Sequence, residues 1–210
     1  MPILIYGTSL GFINQTPILL AAELIAISSL LLLADVVNDP SRVKTLSFGF
    51  ILLGAAIFSR LLSVWLPGVN AMAAIVMLTG IYGGSRLGLS VGMAAPFLTN
   101  MFFIQGAWTP FQMYAYGMLG LIAGIPWIAR QSRTSIVIMT LFAIIMGVAF
   151  SLFMDSWTLI SFGSTGSLNY YLVLVMQAIP FTIKYMISNG IFINLLNRPV
   201  QWLVKFIEKQ

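Results

Sequence analysis

Between Thr99 and Met113 a hydrophobic sequence is interrupted by Asn100, Gln105, Trp108, Thr109 and Gln112, set in a turn punctuated by Gly106 and Pro110. Amides, a hydroxyl and an indole at this spacing offer hydrogen bonds of both polarities and a flat surface for stacking. That is the chemistry of gripping a small molecule rather than of breaking its bonds. Asn70 adds a further amide from an earlier polar tip. Trp108 has two readings of equal weight, a stacking or lid residue among its polar neighbours and a member of an interfacial aromatic belt.

Arg60 and Lys184 are the other candidates, because each falls inside an apolar run. A cation at membrane depth costs on the order of 2.5–3.5 kcal/mol and must face a bundle interior or a wet cavity. Arg60 has a possible structural partner in Glu23, and backbone carbonyls or Asn and Gln side chains could satisfy Lys184, so partner and ligand readings both stay open. Asp155 caps the end of an apolar run beside Ser156 and Trp157, and Asp35 and Asp39 flank Arg42 in a polar stretch.

Catalysis finds little to work with. The chain has no cysteine and no histidine, which removes thiol nucleophiles, disulfides, imidazole bases and the common zinc and haem ligands. Its five carboxylates are scattered, and no pair shares a span at helical spacing. No D-G-x-x-A-R pattern of a phospholipid-headgroup transferase follows the aspartates, and no phosphate-cradling G-x-x-x-x-G-K-S/T loop is present. The expectation is a non-enzyme with no cofactor and no metal.

The elements that must position these residues are membrane helices. With 60% hydrophobic and 7% charged residues and a mean hydropathy of +1.00 over 210 residues, a water-soluble fold would lack a surface. Apolar runs able to cross a bilayer occupy 17–37, 43–66, 87–104, 110–129, 135–155 and 169–197, with a shorter run at 69–84 bounded by Pro67-Gly68 and Gly83-Gly84. The shorter run is expected to be a short or broken helix buried in protein. Strict alternation collects Arg42, Lys44, Arg86, Arg130, Arg133, Arg198, Lys205 and Lys209 on one side, the cytoplasmic one by the positive-inside rule. The tips at 67–70, 105–110 and 155–169 then lie outside, without Lys or Arg. The expected architecture is an all-α integral membrane protein: an N-terminal extension over 1–42 with one extra transmembrane helix, and a six-helix domain over 43–210. The C-terminus is cytoplasmic and the N-terminus extracellular. The net charge of +5 is accounted for by this topology and needs no nucleic-acid partner.

Small residues recur as Gly80, Gly84-x-x-x-Gly88-x-x-x-Gly92 and Gly117, Gly120 and Gly124. They let backbones approach closely, within this chain in preference to a docking surface for another subunit.

From residue 43 to 197 the sequence resembles the substrate-binding S components of energy-coupling factor (ECF) vitamin transporters. The resemblance is carried by Ser41-Arg42-Val43-Lys44, Leu66-Pro67-Gly68-Val69-Asn70, the run from Gly80 to Gly88, and Trp108-Thr109-Pro110-Phe111-Gln112-Met113 before a glycine-rich helix. It implies a six-helix bundle in the bacterial plasma membrane that captures a vitamin or related micronutrient at its outer face. It also implies partners, a transmembrane coupling subunit and two cytoplasmic ATPases. The family's alanine-x-x-x-alanine docking motif is not matched, and Gly49, Gly54, Ala55 and Ala56 are the substitutes. The Trp108–Met113 stretch is most similar to S components assigned to cobalamin or other corrinoids, whose amides suit Asn70, Asn100, Gln105 and Gln112. Arg60 and Lys184 instead suit a carboxylate or phosphate. The alternative is a stand-alone small permease or channel for a micronutrient.

Overall fold

A computed structural model of the chain describes residues 43–66, 68–106, 108–162 and 168–209, the side chains of 160–162 excepted. The expected helix at 17–37, and with it Glu23 and the whole 1–42 extension, lies outside the described residues.

Among the described residues the chain is all-helical. Its seven helices are α1 (Val43–Leu62), α2 (Met72–Gly83), α3 (Ser85–Asn100), α4 (Thr109–Ala123), α5 (Pro126–Thr134), α6 (Ile136–Phe162) and α7 (Leu168–Glu208). Three of them, α1, α6 over Ile136–Leu159, and α7, are long and apolar enough to cross a membrane. Large apolar side chains such as Phe50, Ile145, Leu172, Met176 and Ile187 are exposed on these helices, as lipid-facing residues are.

The short run expected at 69–84 is α2, and every residue from Met72 to Ile81 is buried. At about 18 Å it is too short for a bilayer, and it forms the centre of the core. Just ahead of it Asn70 accepts the Met72 N–H at 3.0 Å through its side-chain carbonyl, an Asx turn leading into the helix. Arg133 finishes it, donating from Nε to the Ile81 carbonyl at 2.9 Å and also from Nη2, with its guanidinium over the Tyr82 ring. A cation on the last carbonyls of a helix meets the negative end of its dipole.

The run expected as one span over 110–129 is two helices. α4 stops at Ala123, and α5 begins at Pro126, whose ring fits a first helical turn but has no N–H to continue one. Conversely, the last run extends beyond 197: α7 continues through Pro180 and Pro199 to Glu208 and is about 60 Å long.

The glycine pattern is intramolecular packing except at Gly84, which has open space around it and a φ of 91° between α2 and α3. A methyl group placed on Gly88 would lie 2.7 Å from the Gly120 carbonyl carbon, and one on Gly92 2.8 Å from Gly117 Cα. One on Gly80 would lie 2.9 Å from the Gly124 nitrogen. Thus α2, α3 and α4 touch backbone to backbone. α6 and α7 form an antiparallel pair pinned by Ser151–Thr182 at 2.7 Å, Asn189 to the Ala143 carbonyl at 3.2 Å and Asn194 to Thr140 at 2.8 Å.

Two poles result. Tyr82 Oη donates to Asn197 at 2.7 Å, and Lys44, Tyr82 and Glu208 line one small recess. These contacts gather the helix ends bearing Lys44, Arg86, Arg130, Arg133, Arg198, Lys205 and Lys209 at one pole. Arg60 and Lys184 belong to the other half of the molecule.

Candidate functional site

At the pole opposite the basic one, the C-terminal end of α1, the loop before α2, the turn after α3, the start of α4 and the facing parts of α6 and α7 surround a half-open cavity of about 350 Å³. Its polar lining is Arg60, Ser63, Asn70 and Gln112, joined by Tyr116 and Tyr185. Phe103, Phe150, Met154, Val64 and Leu66 supply its apolar surface. The volume is near the lower end of the roughly 300–1,000 Å³ typical of small-molecule sites.

Local chemistry explains how each wall is held. Arg60, in the last turn of α1, reaches across to α3, where Nη1 donates to Thr99 Oγ1 at 2.7 Å, and its guanidinium carbon lies 5.5 Å from the centre of the Phe103 ring. Thr99 Oγ1 is itself fixed by donating to the Ala95 carbonyl at 2.9 Å. Gly68, at φ 84°, gives the loop before α2 a backbone turn that favours glycine, and brings it beside the stem of Lys184 and the Tyr185 ring. The opposite wall is a chain of rings: Tyr116 and Phe150 have centroids 4.7 Å apart, and Phe150 meets Tyr185 edge-on at 5.2 Å.

The polar turn expected to hold a ligand divides into support and contact. Asn100, buried at 1% exposure, donates from Nδ2 to Thr109 Oγ1 and to Gln112 Oε1, both at 2.9 Å. Gln105 is spent on the Phe97 carbonyl at 2.8 Å, and Thr109 also accepts the Gly106 N–H at 3.3 Å. These three tie the end of α3 to the start of α4. Of the turn's residues, Gln112 and Phe103 face the cavity. Trp108 lies outside the lining, with its indole laid over Gly106, where any side chain would collide with it.

Arg60, Asn70 and Gln112 are therefore brought together, whereas Lys184 is exposed with Nζ over the Phe181 ring at 5.1 Å. Among the docking candidates, Gly49 and Ala56 face the interior, Gly49 against Leu87, and cannot present a surface. Gly54 has open space around it and Ala55 is exposed. Two buried oxygens, Ser132 Oγ on α5 and Asp155 Oδ2 on α6, have no hydrogen-bond partner among the described residues.

Sequence reasoning missed Ser63, Phe103, Tyr116, Phe150, Met154 and Tyr185 as lining residues. Gln112 with Tyr116, and Phe150 with Met154, are pairs four apart, so each pair shares a helix face. That signal exists in the sequence, but on helices apolar all round it does not say which face is inside.

No family model matches the sequence, and neither the curated proteins nor the solved structures provide a match. No group of three or more metal-ligating side chains occurs among the described residues.

Proposed function

We propose that this chain is the substrate-binding subunit of an ECF-type importer, capturing a vitamin-sized micronutrient on the outer side of a bacterial plasma membrane for uptake driven by ATP hydrolysis on separate subunits. In this reading α1–α4, α6 and α7 are the six-helix core, with the apolar run at 17–37 in front of it and α5 as a short cytoplasmic link. The chain is multi-pass, with the cavity pole outside and the basic pole and C-terminus inside. A transmembrane coupling subunit and two cytoplasmic ATPases are its partners, Gly54 and Ala55 the exposed small residues of the docking face, and no catalytic group of its own is required.

The observation that carries the reading is a half-open cavity of small-molecule size beside helices too closely packed to pass a solute between them. Its lining lies at the pole poor in Lys and Arg, and α2, α3 and α4 are in backbone contact at Gly80, Gly88, Gly120 and Gly124. Space too small for a methyl group cannot pass a solute between these helices, so the cavity suits capture followed by a movement of the whole subunit.

Proteoliposomes containing this chain alone provide the test. Offered a panel of water-soluble vitamins and aromatic acids without ATP, they should bind ligand but neither accumulate nor exchange it. Exchange across the membrane by the chain alone would instead establish the permease.

A further inference from the structure

The cavity has a polarity that the capture reading does not require. Among the described residues lining it, Arg60 is the sole cation and no carboxylate is present. Its guanidinium has five N–H donors, and among the described residues its hydrogen bond is the one to Thr99 at 2.7 Å. That bond, with the Phe103 ring at 5.5 Å, orients the group, and the described residues place no further acceptor on its other N–H donors. A guanidinium held in plane presents a fork that matches the two oxygens of a carboxylate. Across the cavity, Tyr116, Phe150 and Tyr185 form an aromatic wall, and Gln112, locked by Asn100, offers an amide between the two.

We propose that the ligand is a small, ring-bearing carboxylic acid, its carboxylate on Arg60 and its ring against the Tyr116–Phe150–Tyr185 wall. This rests on the capture reading and narrows its substrate class. One positive charge balances one carboxylate, whereas a phosphate monoester, which carries nearly two negative charges near neutral pH, would call for a second cation. Lys184 does not supply it, because its ammonium stands over Phe181 instead of in the cavity. Size decides against the other class: a corrinoid, with its macrocycle and amide arms, is several times larger than about 350 Å³.

The test is equilibrium binding to the full chain in nanodiscs of matched acid and amide pairs: nicotinate and nicotinamide, phenylacetate and phenylacetamide, indole-3-acetate and indole-3-acetamide. At least one acid should bind with a Kd of about 1 mM or tighter and at least about tenfold more tightly than its amide. Arg60→Gln should erase the difference, and Arg60→Lys should keep part of it. The preference is read first on the unaltered chain, so it does not depend on either variant folding. Equal binding of acid and amide in every pair would overturn the assignment while leaving capture intact, and so would a preference that survives Arg60→Gln. Binding of neither member of any pair would overturn it too. Whether partner subunits accompany the chain is read without any ligand, so failure of the capture reading registers separately.

Discussion

Arg60 and Thr99, 39 residues apart in sequence, are joined by a 2.7 Å hydrogen bond from the guanidinium to the threonine hydroxyl. The bond links the last turn of α1 to the last turn of α3, so it closes one side of the cavity and aims the guanidinium into it. Thr99→Val keeps the shape and removes the acceptor. We expect a loss of about 1.5–3 kcal/mol, the range for hydrogen bonds to charged groups, read as a lowered Tm in detergent together with weaker ligand binding. Unchanged values for both would show that Arg60 is held by other contacts.

Asn100 reaches the cavity through Gln112, which accepts its amide N–H at 2.9 Å and itself lines the cavity. Gln112→Ala should reduce affinity about tenfold, about 1.4 kcal/mol, with little change in stability. Asn100→Ala should reduce both affinity and Tm, because it also releases Thr109. Trp108→Ala should affect affinity less than either, since the indole covers Gly106 outside the lining. The ordering of the three Kd values checks the division between contact and support.

Such a division could not be seen in the sequence. The polar turn was legible as a unit, Arg60 as a cation needing a partner in an apolar setting, and Asn70 and Gln112 as amides that could meet a ligand. Which amides face the cavity and which are consumed by the chain's own backbone depends on how α3 meets α4, a long-range relation. The aromatic wall was hidden for another reason: Tyr116, Phe150 and Tyr185 lie in runs hydrophobic on every side, where periodicity has no polar face to contrast with. The fold was more readable. The small-residue spacing announced close packing, and Pro67-Gly68 with Gly83-Gly84 bounded the buried helix α2. The break between α4 and α5 was marked by Gly124 and Pro126, but the largely apolar run from 110 to 129 concealed it.

Two glycines separate packing from mere helix content. Gly120→Ala would push a methyl group to 2.8 Å from Gly88 Cα, so we expect a loss of about 1–3 kcal/mol from overpacking. Gly54→Ala, with nothing within 4 Å, should be neutral or stabilise by up to about 1 kcal/mol through helix propensity. Thermal unfolding of the pair decides, and equal behaviour would mean that α3 and α4 do not touch as described.

Arg133 closes α2 from a different helix, so its removal should be felt in the core rather than at the surface. Arg133→Ala leaves the Ile81 carbonyl without its charged donor, and we expect a loss of about 1.5–3 kcal/mol in stability with ligand affinity preserved. Arg133→Lys should recover part of it. An affinity change as large as the stability change would argue that the two poles are coupled.

The central claim, that this chain captures substrate for an importer powered elsewhere, is tested most directly by what accompanies it. The chain, tagged in its native host and extracted in mild detergent, should bring down one coupling membrane protein and two ATPases, identified by mass spectrometry. A chain that repeatedly emerges alone, under conditions that preserve other membrane complexes of the same cells, would contradict the account.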